Sequence, residues 1–280
     1  GGDLPATYTP VRYPGGKTKL YPLVRAILEE NDLVGCDYLE PFAGGAGLAM
    51  KLLLRGGVES AAINDADRAV ACMWRAIVFE SDKLCEFVGA APLDVGTWLE
   101  MRDVYRDPAS SDLDLGLASF YLNCTSVSGV LGGGIIGGLR QEGAYKMDAR
   151  FSRPGLIEKI RAIGAMRDRI QVSNLDAKEF LAGRGGKGFA FLDPPYVQKG
   201  PSLYRKAFDV REHEDLAAFL TGYDGSWAIT YDDVALVDQL YACFDNRRLN
   251  ISYTANVKCT GKEKMILSPG LRWPIGERLS

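Results

Sequence analysis

An acid followed by two prolines and an aromatic residue is the stretch of this sequence best suited to chemistry. Asp193-Pro194-Pro195-Tyr196 directly follows the apolar run 189–192, which predicts a buried parallel strand. Two prolines cannot extend a central strand, because they lack an N–H donor and fix φ. The chain must therefore leave the sheet at its carboxyl edge, where open α/β folds bind their ligands.

These residue types suit the activation of an amine that is conjugated to an aromatic ring. The Asp193 carboxylate and a neighbouring backbone carbonyl could both accept hydrogen bonds from one amino group, which would free its lone pair to attack an electrophilic methyl group. Tyr196 could stack on a nucleobase that has been rotated out of a helix. The alternative is a strand that ends in a proline-rich turn without chemical function.

Composition places the chain among ordinary globular proteins. It has 280 residues, of which 47% are hydrophobic and 25% charged, and a formal net charge of −3, so no global positive field indicates nucleic acid. The six cysteines, at 36, 72, 85, 124, 243 and 259, show no metal-ligand spacing and predict a reduced cytosolic protein. No apolar run has membrane-spanning length and no signal peptide is visible.

A strand, a glycine turn and a helix follow one another near the N-terminus. The strand at 38–42 runs into the glycine-rich segment 43–47, and the sequence is typical of a nucleotide-binding turn. A dinucleotide fingerprint would need glycine where Met50 stands. The next strand ends at Asn64-Asp65, where an acid could hold ribose hydroxyls; a helix N-cap is the alternative for Asp65 or Asp67.

Two further regions carry weaker signals. Tyr13-Pro14-Gly15-Gly16-Lys17 could approach a ligand closely and offer an ammonium group, or could be only a turn before a helix. From about 67 to 166 the strand–helix alternation lapses and helical patterns dominate, which predicts an inserted subdomain. The segment 140–169 carries eight basic and four acidic residues, a local excess of four, and could contact phosphates or form a solvated helix face.

The α/β pattern resumes after residue 166. Strands are predicted at 170–174, 189–192, 227–231, 248–253 and 264–267, with helices between them. In all, the sequence predicts an α/β fold of about seven mostly parallel strands with an antiparallel end. The predicted boundaries are 8–66 and 167–280 for the core and 67–166 for the insertion.

Five motifs in this order resemble those of Dam-like DNA adenine-N6 methyltransferases. They are 13–17, the segment Glu40-Pro41-Phe42 with glycines 44, 45 and 47, then Asn64-Asp65, Asp176 and 193–196. The resemblance implies a Rossmann-like, seven-stranded sheet and S-adenosyl-L-methionine (AdoMet) as the cofactor. Because the target amine would attack the sulfonium methyl directly, we expect no metal. The resemblance also implies an inserted, mainly helical target-recognition subdomain and a site-specific DNA adenine methylase.

Roles are carried over from this family position by position. Asp193, Pro194 and Tyr196 would hold the target adenine. The residues implied for AdoMet are Tyr13, Lys17, Glu40, Phe42, Gly44, Gly45, Asp65, Asp176 and Ala177. The DNA contacts are predicted from the residues themselves and not from the family. A glycine-rich loop runs from Ser128 to Gly138, and this loop with the local positive excess beside it predicts that the segment from about Cys124 to Arg153 contacts double-stranded DNA, with Arg140, Lys146, Arg150 and Arg153 as the candidates.

One segment departs from the better-known members. They carry Asn-Arg-Thr-x-Phe-Asn-Gly, whereas this chain has Asn123-Cys124-Thr125-Ser126-Val127-Ser128-Gly129, so a GATC target is not implied and the chain looks more like phage or prophage methylases. The alternatives are a cytosine-N4 methyltransferase, a methyltransferase of RNA or protein glutamine, and a non-catalytic DNA-binding module. We expect a cytoplasmic protein, with no membrane partner, that is monomeric or a weak dimer.

Overall fold

The computed structural model describes residues 8–198, 208–249 and 263–275. Within these residues seven strands form one sheet in the order β3-β2-β1-β4-β5-β7-β6. The strands are β1 (Cys36–Glu40), β2 (Val58–Asn64), β3 (Ile170–Ser173), β4 (Phe189–Leu192), β5 (Ser226–Asp232), β6 (Asp245–Leu249) and β7 (Glu263–Leu267).

Ten α-helices accompany these strands in the described part of the chain. They are α1 (Tyr21–Glu30), α2 (Gly47–Arg55), α3 (Arg68–Phe79), α4 (Ser81–Ala90), α5 (Val95–Arg106), α6 (Asp112–Thr125), α7 (Arg153–Gly164), α8 (Ala177–Ala182), α9 (Val210–Thr221) and α10 (Ala235–Leu240). Five of them, α3 to α7, lie between β2 and β3, where the sequence predicts a mainly helical insertion.

The central strands are parallel and the last two are antiparallel. β1 pairs in parallel with β2 and β4, and β4 pairs in parallel with β5. β7 runs antiparallel to both β5 and β6. The carboxyl ends of β1, β2, β4 and β5 therefore lie along one edge, and the amino end of β7 meets the same edge. The predicted α/β fold with a mostly parallel seven-stranded sheet is confirmed.

Contacts between residues divide the chain into two compact units. The first unit comprises Gly1–Tyr21, Gly44–Gly56 and Asp67–Asn174, and the second comprises Pro22–Ala43, Gly57–Ala66 and Leu175–Ser280. The first unit thus combines the helices of the insertion with the N-terminal segment and α2. The boundaries predicted from the sequence, at 66/67 and 166/167, remain a proposal for the functional division.

Each unit has its own buried interior. In the second unit, a core cluster joins the apolar residues of β4 and β5 to α9 and α10, and includes Trp227, Tyr231 and Tyr241. In the first unit, nine of the twelve residues of α3 are buried, which explains its continuous apolar sequence. A Cβ atom at Gly116 of α6 would come within 2.5 Å of the Cys72 carbonyl oxygen of α3, so only glycine allows the two helices to approach this closely.

Local signals in the sequence account for several element ends. Asp67 is the N-cap of α3 and accepts a hydrogen bond from the Ala69 amide at 3.0 Å, so the cap predicted for Asp65 or Asp67 is Asp67. β6 begins at Asp245, three residues before its predicted start, and residues 250–253 lie outside the described residues. No described helix has both the length and the apolar character that crossing a membrane requires.

Candidate active site

Asp193 lies at the end of β4, where the sheet stops. All four residues of β4 are buried, while the Asp193 side chain is half-buried. Its Oδ1 atom accepts a hydrogen bond from the Thr230 hydroxyl of β5 at 3.3 Å. Pro194 and Pro195 are buried and carry the chain out of the strand. The carboxylate is therefore held at the sheet edge by the neighbouring strand.

The segment that follows the two prolines is held by two carboxylates. The Tyr196 hydroxyl donates a hydrogen bond to Glu263 Oε1 at the start of β7. The two oxygens of Asp232, at the end of β5, accept from the amides of Val197 and Gln198 at 2.9 and 3.0 Å. Sequence reasoning missed both acids as site residues. Asp232 could have been found, because it is an acid at the end of a predicted strand. Glu263 is 67 residues from Tyr196, and no sequence pattern connects the two.

Glu40 ends β1 beside the same edge and is buried. Its Oε2 atom accepts a hydrogen bond from the Tyr38 hydroxyl at 2.5 Å. Burial raises the pKa of Tyr38 well above its ordinary value, and the charges of Glu40 and then Asp193 raise it further. The Tyr38 phenol therefore remains a neutral hydrogen-bond donor, because the negative charges of Glu40 and Asp193 both oppose its ionisation.

A buried amide connects the ends of two strands in the second unit. Asn64 Nδ2 donates to the carbonyl oxygens of Pro41 at 3.1 Å and Leu175 at 2.9 Å, and its Oδ1 accepts from the Leu175 amide at 2.9 Å. Asp65 directly follows Asn64, and Asp176 directly follows Leu175. The amide therefore fixes the backbone beside both acids that the resemblance assigns to AdoMet.

Asp176 and Ala177 begin a short helix at this edge. Asp176 is exposed and caps α8 by accepting from the Lys178 amide at 2.9 Å. The Lys178 ammonium lies 3.4 Å from the same carboxylate, and Ala177 is buried. One carboxylate oxygen is thus occupied by the helix cap, while the side chain as a whole faces solvent.

A row of rings that begins at Phe42 lies within the second unit. Phe42 packs edge-on against Phe208 with ring centroids 5.5 Å apart, and Phe208 packs against His213 at 5.2 Å. His213 Nδ1 and the Tyr231 hydroxyl share a hydrogen bond at 2.7 Å. Burial lowers the pKa of His213, so the imidazole is neutral at pH 7. Phe42, which follows β1, is therefore held by an aromatic support.

The glycine turn and Tyr13 meet in the first unit. A Cβ atom at Gly44, where φ is +49°, would lie 2.6 Å from the Tyr13 ring, and one at Gly45 would lie 3.2 Å from the Tyr13 Cβ. Trp74 of α3 donates its indole N–H to the Gly44 carbonyl at 2.7 Å. The turn is thus closed by Tyr13 on one side and anchored by Trp74, whose part the sequence reasoning missed.

Lys17 lies at the end of the predicted Tyr13–Lys17 motif. The Gly16 amide donates to the Tyr13 carbonyl at 3.2 Å, which closes a turn, and the Leu20 amide donates to the Lys17 carbonyl at 2.9 Å. The Lys17 side chain is only 6% exposed. An ammonium group at this depth needs acceptors around it, unlike the exposed lysine of a simple surface turn.

A second buried amide organises the first unit. Asn123, near the end of α6, accepts from the Arg12 amide at 2.9 Å and donates to the carbonyls of Arg12 at 2.6 Å and Gly129 at 3.1 Å. It therefore joins the segment before Tyr13 to the start of the glycine-rich loop. No sequence signal gave the partners of this asparagine.

The glycine-rich loop, residues 126–147, is folded back on itself. The Val127 amide donates to the Gly134 carbonyl at 2.9 Å and the Ile136 amide to the Thr125 carbonyl at 3.0 Å. The Gln141 side chain is bonded to the backbone of Ile136, Gly138 and Met147; the three bonds measure 2.7, 2.8 and 3.0 Å. The loop therefore has a defined path over its whole length.

The four predicted DNA-contacting residues fall into two pairs. Arg140 and Lys146 are exposed on the glycine-rich loop. Arg150 donates to the Ser126 carbonyl at 2.7 Å. Arg153 donates to the carbonyls at 88 and 91, at the end of α4, at 2.5 and 2.8 Å. The structure thus leaves the first pair pointing to solvent and uses the second pair to hold backbone.

Fold and site together define the class of an α/β methyltransferase, with a glycine turn after β1, acids at the strand ends and an Asp-Pro-Pro-Tyr segment after β4. Residues 13–255 match the family described as D12 class N6 adenine-specific DNA methyltransferase. The chain belongs to this family, and it is a methyltransferase that acts on the N6 amine of adenine in DNA. Its predicted identity as a Dam-like adenine methyltransferase is confirmed.

Other comparisons add little to this assignment. No curated protein matches the chain. Among solved structures it is similar to the Escherichia coli protein yhhF, which is named as a methyltransferase, at 14% identity and a TM-score of 0.40, over 92% of this chain and 90% of that one. At this TM-score the similarity supports no conclusion. The described residues contain no group of three or more metal-ligating side chains.

Proposed function

We propose that Asp193 and the Pro194 carbonyl accept the two N6 hydrogens of an adenine that has been rotated out of duplex DNA. The observation that supports this is the position of Asp193 after a buried strand, fixed by Thr230 and followed by two buried prolines. Acceptance of both hydrogens draws the amine away from conjugation with the ring, so that its lone pair becomes available for attack. The carboxylate also stabilises the positive charge that develops on the amine.

Tyr196 supplies a face on which the adenine ring stacks in this proposal. Its ring is half-buried and packs against the core cluster of the second unit, and its hydroxyl is held by Glu263. An aromatic ring that is already ordered loses little conformational entropy when it binds a base.

The family uses AdoMet, which supplies an electrophilic methyl group on a sulfonium, and the residues present fit it. Asp65 is half-buried and Asp176 is exposed, each beside backbone that Asn64 fixes, so both can meet a polar ligand. We assign the cofactor-binding role to Tyr13, Lys17, Glu40, Phe42, Gly44, Gly45, Asp65, Asp176 and Ala177. No metal has a role in this scheme.

Asp65 is the residue with which to test the cofactor assignment. In calorimetry, Asp65→Ala should weaken AdoMet binding by about 1.5–3 kcal/mol, as expected for hydrogen bonds to a charged group. Glu59→Ala, which removes an exposed acid from β2, the strand that Asp65 follows, is the matched control. Equal affinity in the two variants would contradict the assignment.

DNA contacts are assigned to the glycine-rich loop and its basic flank. Arg140, Lys146 and the 76% exposed Tyr145 lie together in sequence on this loop. Burial lowers the pKa of Arg150, and the positive charge of Arg12 lowers it further. The exposed cations of the loop, Arg140 and Lys146, carry the positive charge that suits a phosphate backbone.

The test of the proposed function is single-turnover methylation with Asp193→Ala and Asp193→Asn. Removal of one such electrostatic group costs about 3–4 kcal/mol, which corresponds to a loss of roughly two to three orders of magnitude in rate. AdoMet binding should stay near that of the wild type. Asp224→Asn, an exposed acid in the loop before β5, serves as the control. A near-normal rate in Asp193→Ala would refute the proposal.

A further inference from the structure

Glu263 begins β7 at the edge of the sheet that carries the proposed site. β7 runs antiparallel to β5, and the register places Glu263 directly opposite Asp232. The first residue of β7 therefore lies beside the last residue of β5. The Cβ atoms of directly opposite residues on antiparallel strands lie about 4.5–5.5 Å apart, so the side chains of Asp232 and Glu263 are neighbours.

Both carboxylates are used by the segment after the two prolines. Asp232 is only 7% exposed and accepts from two consecutive amides, those of Val197 and Gln198. Glu263 accepts from the Tyr196 hydroxyl. Three consecutive residues are thus attached to the carboxyl end of β5 and the amino end of β7. The ring of Tyr196 is fixed at its hydroxyl by Glu263 and at its backbone by the residues that follow.

We infer that Glu263 is a positioning residue for the target base, acting through Tyr196. This rests on the proposed function, in which Tyr196 stacks on the rotated adenine. A tyrosine that is free to change rotamer would have to be ordered when each base arrives, at a cost in entropy. The hydrogen bond to Glu263 orders the ring before the base binds, so the stacking face is already formed.

The charge of Glu263 adds a second effect. A phenol that donates to a carboxylate carries more electron density on its ring than one that donates to water. Adenine gains positive charge as N6 forms its bond to the methyl group, and it keeps that charge until a proton leaves. An electron-rich aromatic face attracts a cationic ring more strongly than a neutral one. Glu263 therefore favours the methylation step as well as the binding of the base.

These two effects can be separated by substitution. Glu263→Gln keeps an acceptor oxygen for the Tyr196 hydroxyl but removes the charge, whereas Glu263→Ala removes both. Tyr196→Phe removes the donor and keeps the ring. Glu214→Ala, which removes an exposed acid from α9, is the control for the loss of one negative charge.

The experiment uses the full chain and a duplex whose methylated site has been mapped with the wild-type enzyme. Base rotation is measured by the fluorescence of 2-aminopurine at the target position, and methylation is measured by single turnover. Tyr196→Phe and Glu263→Ala should each lower the fluorescence gain and lower the rate by about tenfold, as for one hydrogen bond to a charged group. Glu263→Gln should keep the fluorescence gain and lower the rate several-fold. AdoMet affinity should be unchanged in all of them.

A double-mutant cycle decides whether Glu263 acts through Tyr196. In the Tyr196→Phe background, neither Glu263→Ala nor Glu263→Gln should lower the rate further. If Glu263→Ala does not fold, the cycle with Glu263→Gln tests the same contact. Multiplicative losses in the double variants, or wild-type behaviour of both Glu263 variants, would overturn the inference.

Asp193→Ala is measured in parallel, so that the proposed function and this inference can fail separately. Full activity of Asp193→Ala would overturn both of them. If Asp193→Ala is inactive, the proposed function stands, and the double-mutant cycle alone decides whether Glu263 positions the base.

Discussion

The edge of the sheet and the glycine-rich loop achieve order in different ways. At the sheet edge, in the second unit, acids lie at the ends of hydrogen-bonded strands, and the strand register brings Asp232 opposite Glu263. Over its described residues, 126–147, the glycine-rich loop of the first unit contains no α-helix and no strand of the sheet. The side-chain amides of Asn123 and Gln141 hold its backbone instead, through hydrogen bonds to carbonyls and amides.

This difference indicates how the backbone of each region responds to a substitution. A residue at a strand end keeps its place as long as the strands pair, so its backbone position is set by the sheet and not by its own side chain. The path of the loop depends on a few side chains, so one substitution can release a long segment.

The largest expected loss of stability can be tested in both regions, because each contains a buried asparagine amide. Asn64 at the sheet edge and Asn123 in the first unit each make three hydrogen bonds to backbone groups, and each is 1% exposed. Alanine at either position leaves buried backbone groups without partners, at a cost of about 1–3 kcal/mol for each unsatisfied group. Urea unfolding should show that both variants are destabilised by about 3 kcal/mol or more.

Their functional effects should differ. Asn64→Ala should weaken AdoMet binding and leave the affinity for DNA unchanged, whereas Asn123→Ala should weaken DNA binding measured without cofactor. Asn31 is the matched control, because its amide also makes three bonds, at 2.8 Å, to backbone groups of Ile27 and Arg272. Asn31→Ala should destabilise the protein without changing either affinity. Identical binding profiles of the Asn64 and Asn123 variants would remove the distinction between the regions.

The sheet edge could be predicted from the sequence because its signals are local. A buried apolar run followed by Asp193 and two prolines gives the strand, its end and the acid together, and Asp65 follows its own strand in the same way. The sheet and the position of the acids after the strands follow from such patterns. The family resemblance then identified the chemistry.

The pairing of distant residues could not be predicted in this way. Glu263 and Tyr196 are 67 residues apart, and Asn123 and Arg12 are 111 apart. No local pattern reports such a pair, because the pairing depends on strand order and helix packing. The basic excess in 140–169 shows the same limit, because no local pattern indicates that Arg153 donates to the carbonyls at 88 and 91.

The second prediction concerns the exposed cations of the loop. The double variant Arg140→Ala/Lys146→Ala should bind DNA about tenfold or more weakly, because each phosphate contact releases counterions. The slope of log K against log salt concentration should fall by about 1 for each cation that no longer meets a phosphate. Fluorescence anisotropy over a series of salt concentrations measures both quantities.

The control for this variant removes a similar charge elsewhere. Lys83 is 61% exposed on α4 and is paired only with Glu80 among the described ion pairs, so Lys83→Ala should leave the salt slope unchanged. A change of target site rather than of overall affinity would show that Arg140 or Lys146 reads a base. An unchanged slope in the double variant would place the DNA-binding surface outside this loop.

Gln141 should have a smaller effect, confined to the loop. Its side chain bonds to the backbone at three places, and the residue itself adopts a φ of +53°. Gln141→Ala should cost about 1 kcal/mol or less of global stability, because the loop is largely exposed and water can replace the missing partners. Hydrogen exchange should accelerate in the loop alone, and the affinity for DNA should fall several-fold. Unchanged exchange would mean that the loop path does not depend on this amide.

The last predicted effect is a pH dependence from the chain's single histidine. Burial lowers the pKa of His213 below its ordinary value of 6.5, although the carboxylates of Asp232, Glu212 and Asp209 oppose the shift. The Tyr231 hydroxyl bonds to its Nδ1 atom. Below pH 6.5 the unfolded chain takes up a proton that the folded protein does not, so the stability falls as the pH decreases. Above that pH this contribution is complete and constant.

Proton linkage sets an upper limit on this change in stability. One proton bound only in the unfolded state changes the free energy of unfolding by at most about 1.4 kcal/mol per pH unit. Between about pH 6.5 and 5.5, before most carboxylates titrate, the wild type should therefore lose up to this amount. His213→Gln should fold with lower stability at pH 7, because the aromatic packing against Phe208 and Tyr231 is removed, but its stability should be nearly flat over the same interval. Urea unfolding at closely spaced pH values measures both curves. Parallel curves would show that His213 titrates alike in the folded and unfolded chain, which would contradict this prediction.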